Sequence, residues 1–167
     1  MKPDSRDAYF APLDVQISTF IDQHRSMLAA SLDGLTEEEA RRRLVPSKTT
    51  LLGLVKHAAF VELVWFGEAV TGASRAELGI PDTPDESFDL QESDTIESVL
   101  ADNAVAVEQS RRAVAGMDGE TVLPGNRRGP LPLRWVQQHM LRELAQHCGH
   151  ADILRELVLA TRIGQPN

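Results

Sequence analysis

Three polar side chains interrupt an apolar stripe in the last part of the sequence. The stripe recurs every three or four residues, which is the spacing of a helix face that packs against a core. Its two ends are aliphatic, whereas its centre is Glu143, His147 and His150. Burying a carboxylate with no partner costs on the order of several kcal/mol, so these groups need something that satisfies them. The full stripe is Leu133, Val136, Met140, Glu143, His147, His150, Leu154 and Leu157.

A divalent metal ion would satisfy the centre of this stripe. Glu143 and His147 are four residues apart, so they lie one turn apart on the same face of a helix. His57 is predicted to supply a third ligand, because it lies among apolar residues in the middle of another predicted helix. Two histidines and one carboxylate leave coordination positions open for water or a substrate. This ligand set suits zinc first, and also nickel or iron(II).

Other interpretations of these residues stay open. The same groups would fit a buried Glu–His hydrogen-bonded network that holds no metal. A second ligand set, His139 with Glu143 and His147, is disfavoured because three successive turns span about 12 Å of helix rise. His150 follows His147 by three residues, and we predict that it is either a catalytic general base or a hydrogen-bond partner of a ligand.

Four helical segments would position these residues. Apolar residues recur at helical spacing in each segment, and turn-forming residues separate them. No alternating strand pattern is visible, so the fold class is predicted to be all-α, in a single domain over residues 1–167. A capping box is expected at Thr36–Glu39, and loops at 72–93 and 118–131. The predicted long helices cover residues 12–32, 94–116 and 133–161. A further long helix is predicted to begin at a capping residue within 47–50 and to end at residue 71.

Charge and composition narrow the classes of partner. The formal net charge is −8, which argues against nucleic acid and against anionic membrane surfaces as partners. No stretch approaches the roughly 18 apolar residues that cross a bilayer. The single cysteine, Cys148, allows no intrachain disulfide and is predicted to be a small buried hydrophobe. The polar segment Met1–Arg6 leads into no long apolar run, so we expect no secretory leader and a cytoplasmic location.

The sequence resembles the DinB/YfiT-like superfamily of metal-binding four-helix bundles over nearly its whole length. The resemblance rests on the segments 50–57, 64–66, 133–139 and 147–156, together with Glu143. It implies an up-down-down-up bundle with a long crossover, often dimeric, and a metal triad that maps onto His57, Glu143 and His147. Glu143 is similar to the residue found in mycothiol-dependent maleylpyruvate isomerases, where many other members carry His. Many members carry Gln at the position of His150, so the resemblance implies no role for His150.

These observations predict a metal-dependent enzyme that acts through a low-molecular-weight thiol, with mycothiol as a co-substrate, as an S-transferase or isomerase. A metal-dependent hydrolase and a non-catalytic metal-binding module are the alternatives. Arg134 is predicted to bind the co-substrate or an anionic substrate, with Arg127 and Arg128 beside it in the sequence. Small-molecule partners and a homodimer are expected.

Overall fold

The computed structural model of the protein describes residues 8–163, so the expectation for Met1–Arg6 lies outside the described residues. The chain is mostly helical, which agrees with an all-α class, while the up-down-down-up bundle and the single domain stay predictions. The elements, in order, are α1 (Leu13–Ala30), α2 (Glu37–Ala40), α3 (Leu51–Glu62), a π-helical segment (Leu63–Glu68), α4 (Ala69–Thr71), a 3-10 turn (Glu86–Phe88), α5 (Ile96–Ala113), β1 (Val122–Asn126), β2 (Gly129–Pro132) and α6 (Leu133–Ile163).

The helices begin and end at residues with recognisable capping chemistry. Thr36 and Glu39 form the predicted capping box of α2, because each side chain accepts a backbone hydrogen bond from the other residue. The Thr50 hydroxyl accepts a hydrogen bond from the backbone N–H of Gly53 at the start of α3. Gly72 ends α4 with φ at 72°, a left-handed conformation that favours glycine.

A π-helical segment interrupts the second long helix, which the sequence pattern predicts as a continuous α-helix. Leu63–Glu68 carries this wider turn, which changes the direction in which Trp65 and Val64 project. Such segments are often found at functional sites because they redirect side chains. Just before it, Glu62 is 1% exposed and accepts two hydrogen bonds from Arg25 of α1, at 2.8 and 2.6 Å. This ion pair fixes α1 against the point where the helix changes its winding.

A β-hairpin occupies the region that the sequence predicts as a loop. β1 and β2 pair antiparallel, and Asn126 lies opposite Gly129, so Arg127 and Arg128 form the tip. The two strands contain three prolines and two glycines, which are uncommon in strands, so the sequence pattern predicts a loop. Gly125 has φ at 82°, and a Cβ there would lie 1.7 Å from the carbonyl oxygen of Gly129. The hairpin therefore needs glycine at this position, and it delivers two arginines to one place.

The core lies where α1 and α3 pack on α6, and α5 packs on α3. The buried face of α6 turns away from the predicted stripe after Met140. His150 and Leu157 are exposed, because an α-helix drifts about 20° per heptad from a strict 3.5-residue repeat. None of the described helices is long and apolar enough to cross a membrane. The buried residues of α6 that complete this face are Leu144, Cys148, Ala151, Leu154 and Val158.

Candidate metal centre

A cavity of about 160 Å³ lies between α3, the π-helical segment, the hairpin tip and α6. His57 and Glu143, two of the predicted metal ligands, line it. The 72–93 segment and the hairpin contribute Arg75, Arg127 and Arg128. The cavity thus joins a buried imidazole and a carboxylate to a basic rim.

Hydrogen bonds fix the tautomer of His57, which is 5% exposed. The Ser87 hydroxyl lies 2.6 Å from Nδ1 of His57, and it donates its own proton to the carbonyl oxygen of Pro84 at 2.5 Å. Because a hydroxyl has one proton, Ser87 accepts from His57, and Nδ1 carries the hydrogen. Nε2 then holds a free lone pair, which is the form of histidine that binds metals.

The hydrogen-bonding groups of His147 are left without partners in the described part of the chain. Both of its ring nitrogens are buried and have no hydrogen-bond partner within residues 8–163. The ring centroids of His147 and His57 are 4.8 Å apart in an edge-on arrangement. Nε2 of His147 lies 3.7 Å from Oε2 of Glu143, which is too long for a hydrogen bond. Two ligand atoms of a tetrahedral zinc ion are about 3.4 Å apart. A small movement of these two side chains would therefore admit an ion between them.

His139 is buried beside this group, although the sequence places it only at the edge of the polar stripe. The Arg142 guanidinium donates to Nδ1 of His139 at 2.7 Å, so Nε2 carries the hydrogen of the neutral ring. That Nε2–H faces Oε1 of Glu143 at 3.6 Å. His139 also stacks on Trp135, with the ring planes 8° apart. At this distance the contact is electrostatic and is not a hydrogen bond, and the protonated Nε2 has no lone pair for a metal.

Burial keeps the histidines of the candidate site neutral, although His147 does not line the cavity itself. Desolvation, followed by the nearby His147, lowers the pKa of His57 to about 3. Desolvation, followed by His150, lowers the pKa of His147 to about 4. The pKa of His139 is also lowered, chiefly by burial. Neutral imidazoles are required for metal binding, so both His57 and His147 are in the protonation state that a metal would need.

The three predicted ligands are neighbours, and their assignment as a metal site stays a prediction. Within the described range 8–163, no group of three or more His, Cys, Asp or Glu side chains already has the geometry of a metal site. The donors nevertheless fit a divalent ion, because His147 has two unpartnered nitrogens beside His57 and Glu143. A metal would supply the partner that the protein does not.

Two other predicted site residues lie away from the cavity. His150 is exposed on α6 and lines a separate groove with Val45, although its ring centroid is 5.9 Å from that of His147. Arg134 is paired with Glu120 at the start of α6 and does not line the cavity. Their predicted roles stay predictions.

Cys148 is buried, as expected, and burial raises the pKa of its thiol to about 11. Its sulfur donates to the carbonyl oxygen of His24 at 3.4 Å. At neutral pH the group is therefore a protonated thiol, which is a poor nucleophile.

A family model described as mycothiol-S-transferase matches residues 16–160. No curated protein matches the chain. The match agrees with the predicted link to mycothiol and to S-transfer. It covers the helices and the hairpin that form the cavity.

The free energy of unfolding of the metal-free protein should depend on pH through His57 and His147. The pKa values of His57 and His147 lie below the ordinary 6.5, so the unfolded chain takes up protons that the folded chain does not. The free energy of unfolding should therefore fall as the pH drops from 6.5 to 4.5. Below 4.5 a second loss begins, since Arg162 and Thr36 hold the pKa of Glu39 at about 2.

Urea denaturation at fixed pH values, with a chelator present, measures this dependence. The variant His57→Asn should show a shallower fall between pH 6.5 and 4.5, because one proton-binding difference is removed. A free energy of unfolding that stays constant or rises as the pH drops from 6.5 to 4.5 would show that these histidines are not desolvated.

Proposed function

The chain belongs to the mycothiol S-transferase family, and we propose that it is a metal-dependent enzyme that joins the sulfur of mycothiol to an electrophilic acceptor. The observation that carries the proposal is the pair of buried, unpartnered ring nitrogens of His147 beside His57 and Glu143. A buried polar group with no partner is costly, and proteins keep such groups at functional sites. The basic cavity next to them provides room for the acceptor.

The proposed metal ligands are His57, Glu143 and His147. Two nitrogens and one carboxylate oxygen suit zinc, and they also suit nickel or iron(II). A bound divalent metal would lower the pKa of a thiol and so supply a thiolate at neutral pH. Ser87 would hold His57 with its lone pair toward the site, and the Nε2–H of His139 would face the carboxylate of Glu143.

The reaction is a displacement or an addition at carbon. In a displacement, the thiolate sulfur forms a bond to the acceptor carbon and a leaving group departs with the electron pair of the bond that breaks. In an addition, the sulfur forms the same bond, the electron pair of the acceptor double bond moves to its other atom, and that atom takes a proton from solvent. The thiol proton goes to solvent through the open mouth, because burial lowers the pKa of both His57 and His139. The apolar residues that line the cavity, Phe60, Val61 and Val64, would keep water from the thiolate.

Loss of Glu143 should cost more metal affinity than loss of His139. Glu143→Ala removes a proposed ligand, so we expect zinc affinity to fall by more than about 100-fold. His139→Ala removes only a polar neighbour of the carboxylate, so a loss of about tenfold is expected. Isothermal titration of both variants compares them. Equal losses, or a larger loss for His139→Ala, would show that the ligand set is wrong.

Turnover should need both a metal and an added thiol. We expect purified protein with mycothiol and iodoacetamide to lose its activity on chelation and to regain it with zinc. His147→Ala should be inactive because a ligand is missing. Cys148→Ala is the matched control: its thiol is buried, so this variant should keep the wild-type rate. It also removes the only protein thiol that the reagent could alkylate.

Two results would contradict the proposal. Turnover that is unchanged without any thiol would indicate the metal-dependent hydrolase. Absence of turnover in protein that binds stoichiometric zinc would indicate a non-catalytic metal-binding module. The cytoplasmic location and the homodimer remain predictions.

A further inference from the structure

The hairpin tip brings two arginines to the mouth of the cavity, above the candidate metal centre. Arg127 and Arg128 are exposed and line the opening, whereas His57 lies at the buried end. We propose that the arginine tip, Arg127 and Arg128, is a carboxylate-binding subsite that selects small anionic acceptors. Its role in turnover rests on the proposed function, whereas carboxylate binding does not.

Aromatic rings hold the guanidinium of Arg128 in place. Its central carbon lies 5.3 Å from the ring centroid of Trp65 and 5.9 Å from that of Trp135. Cation–π contacts of this kind orient the planar group and use none of its N–H donors. His139 continues the platform, since it stacks on Trp135 and lies 4.2 Å from Trp65 between centroids. An arginine fixed by its face presents its N–H edge to a ligand.

In the metal-free protein, the charges around the cavity favour an anion at the mouth rather than at the buried end. Arg75 is already neutralised, because Glu68 lies 3.1 Å from its Nε. Arg127 and Arg128 form no ion pair with any carboxylate in the described part of the chain. Glu143 places a negative charge at the other end of the same cavity. A carboxylate would therefore lie against the two arginines, with its uncharged end directed toward His57 and Glu143.

The size of the cavity limits the acceptor. A cavity of about 150 Å³ holds a molecule the size of benzene, and this one is about 160 Å³. A bidentate contact between a guanidinium and a carboxylate fits at the mouth. The remaining volume accepts only a few carbon atoms. The substrate class is thus a short carboxylic acid whose electrophilic carbon lies a few bonds from the carboxylate.

Binding can be measured without metal or thiol, because both tryptophans of the chain contact Arg128. Full-length protein treated with a chelator would be titrated with crotonate and with crotonamide, which have nearly the same shape and differ in charge. Tryptophan fluorescence should report tighter binding of crotonate. Arg128→Gln should weaken crotonate binding by about tenfold, the usual cost of a charge-assisted pair, and leave crotonamide unchanged.

Two variants separate specific recognition from general attraction. Arg128→Lys keeps the charge but loses the planar fork, so crotonate affinity should lie between those of the wild type and Arg128→Gln. Arg112→Gln removes an equal charge on α5, where Arg112 is exposed and pairs with Glu108, so it should change crotonate affinity less than twofold. The subsite is wrong if the two ligands bind equally or if both glutamine variants behave alike. Tighter binding of inorganic phosphate than of crotonate would rule out a carboxylate.

Turnover supplies a second readout with the matched pair iodoacetate and iodoacetamide. In both reactions a C–S bond forms, the C–I bond breaks and iodide leaves, while the thiol proton goes to solvent. Relative to the uncatalysed rates, the wild type should favour iodoacetate, and Arg128→Gln should lose that preference. Equal acceleration of both reagents by the wild type would overturn the selectivity. If neither reagent reacts, the proposed function fails, and the crotonate titration still decides the subsite.

Discussion

The desolvation of His147 is the constraint on which the rest of the site depends. Its two ring nitrogens lie inside the protein with no hydrogen-bond partner among the described residues. A neutral imidazole in such a place costs free energy that the core around it must offset. Leu144 and Cys148 lie next to His147 on α6 and are buried, so their apolar packing contributes to this offset. The helix therefore tolerates an unsatisfied group at the position where a metal ion would satisfy it.

Elements far apart in the sequence position the neighbours of His147. The 72–93 segment crosses over α3 and places the Ser87 hydroxyl on His57, which sets the tautomer of that ring. The π-helical segment directs Trp65 toward the hairpin. The hairpin, in turn, places Arg128 over Trp65 and Trp135. A loop, a change in helix winding and a tight turn thus converge on one small cavity.

The sequence predicts the helices and the neighbourhood of Glu143 and His147 better than it predicts what surrounds them. Glu143 and His147 stand out because polar groups replace leucine on a packing face, and their spacing of four fixes their relative direction. His150 follows the same 3.5-residue repeat in the sequence. An α-helix has 3.6 residues per turn, so this repeat drifts around the helix and His150 lies at the surface. His139 could have been recognised from its spacing of four before Glu143 and from nearby Trp135. Nothing in local spacing could have linked it to Trp65, which lies in another helix.

Backbone features were the hardest to predict from residue patterns. Pro124, Pro130 and Pro132 are typical of loops, yet here they lie in a two-stranded sheet whose turn requires Gly125. The π-helical segment has no proline or glycine before it to signal a change of winding. The role of Ser87 depends on a contact across 30 positions of sequence, which only the folded chain reveals. Local chemistry therefore predicts the ligands, and tertiary structure shows which residues surround them.

X-ray absorption spectroscopy of the zinc-loaded protein tests the central claim most directly. The account predicts two imidazole nitrogens and a carboxylate oxygen at about 2.0–2.2 Å, with one imidazole lost in His147→Ala. A sulfur ligand in the spectrum, or an unchanged imidazole count in His147→Ala, would contradict it.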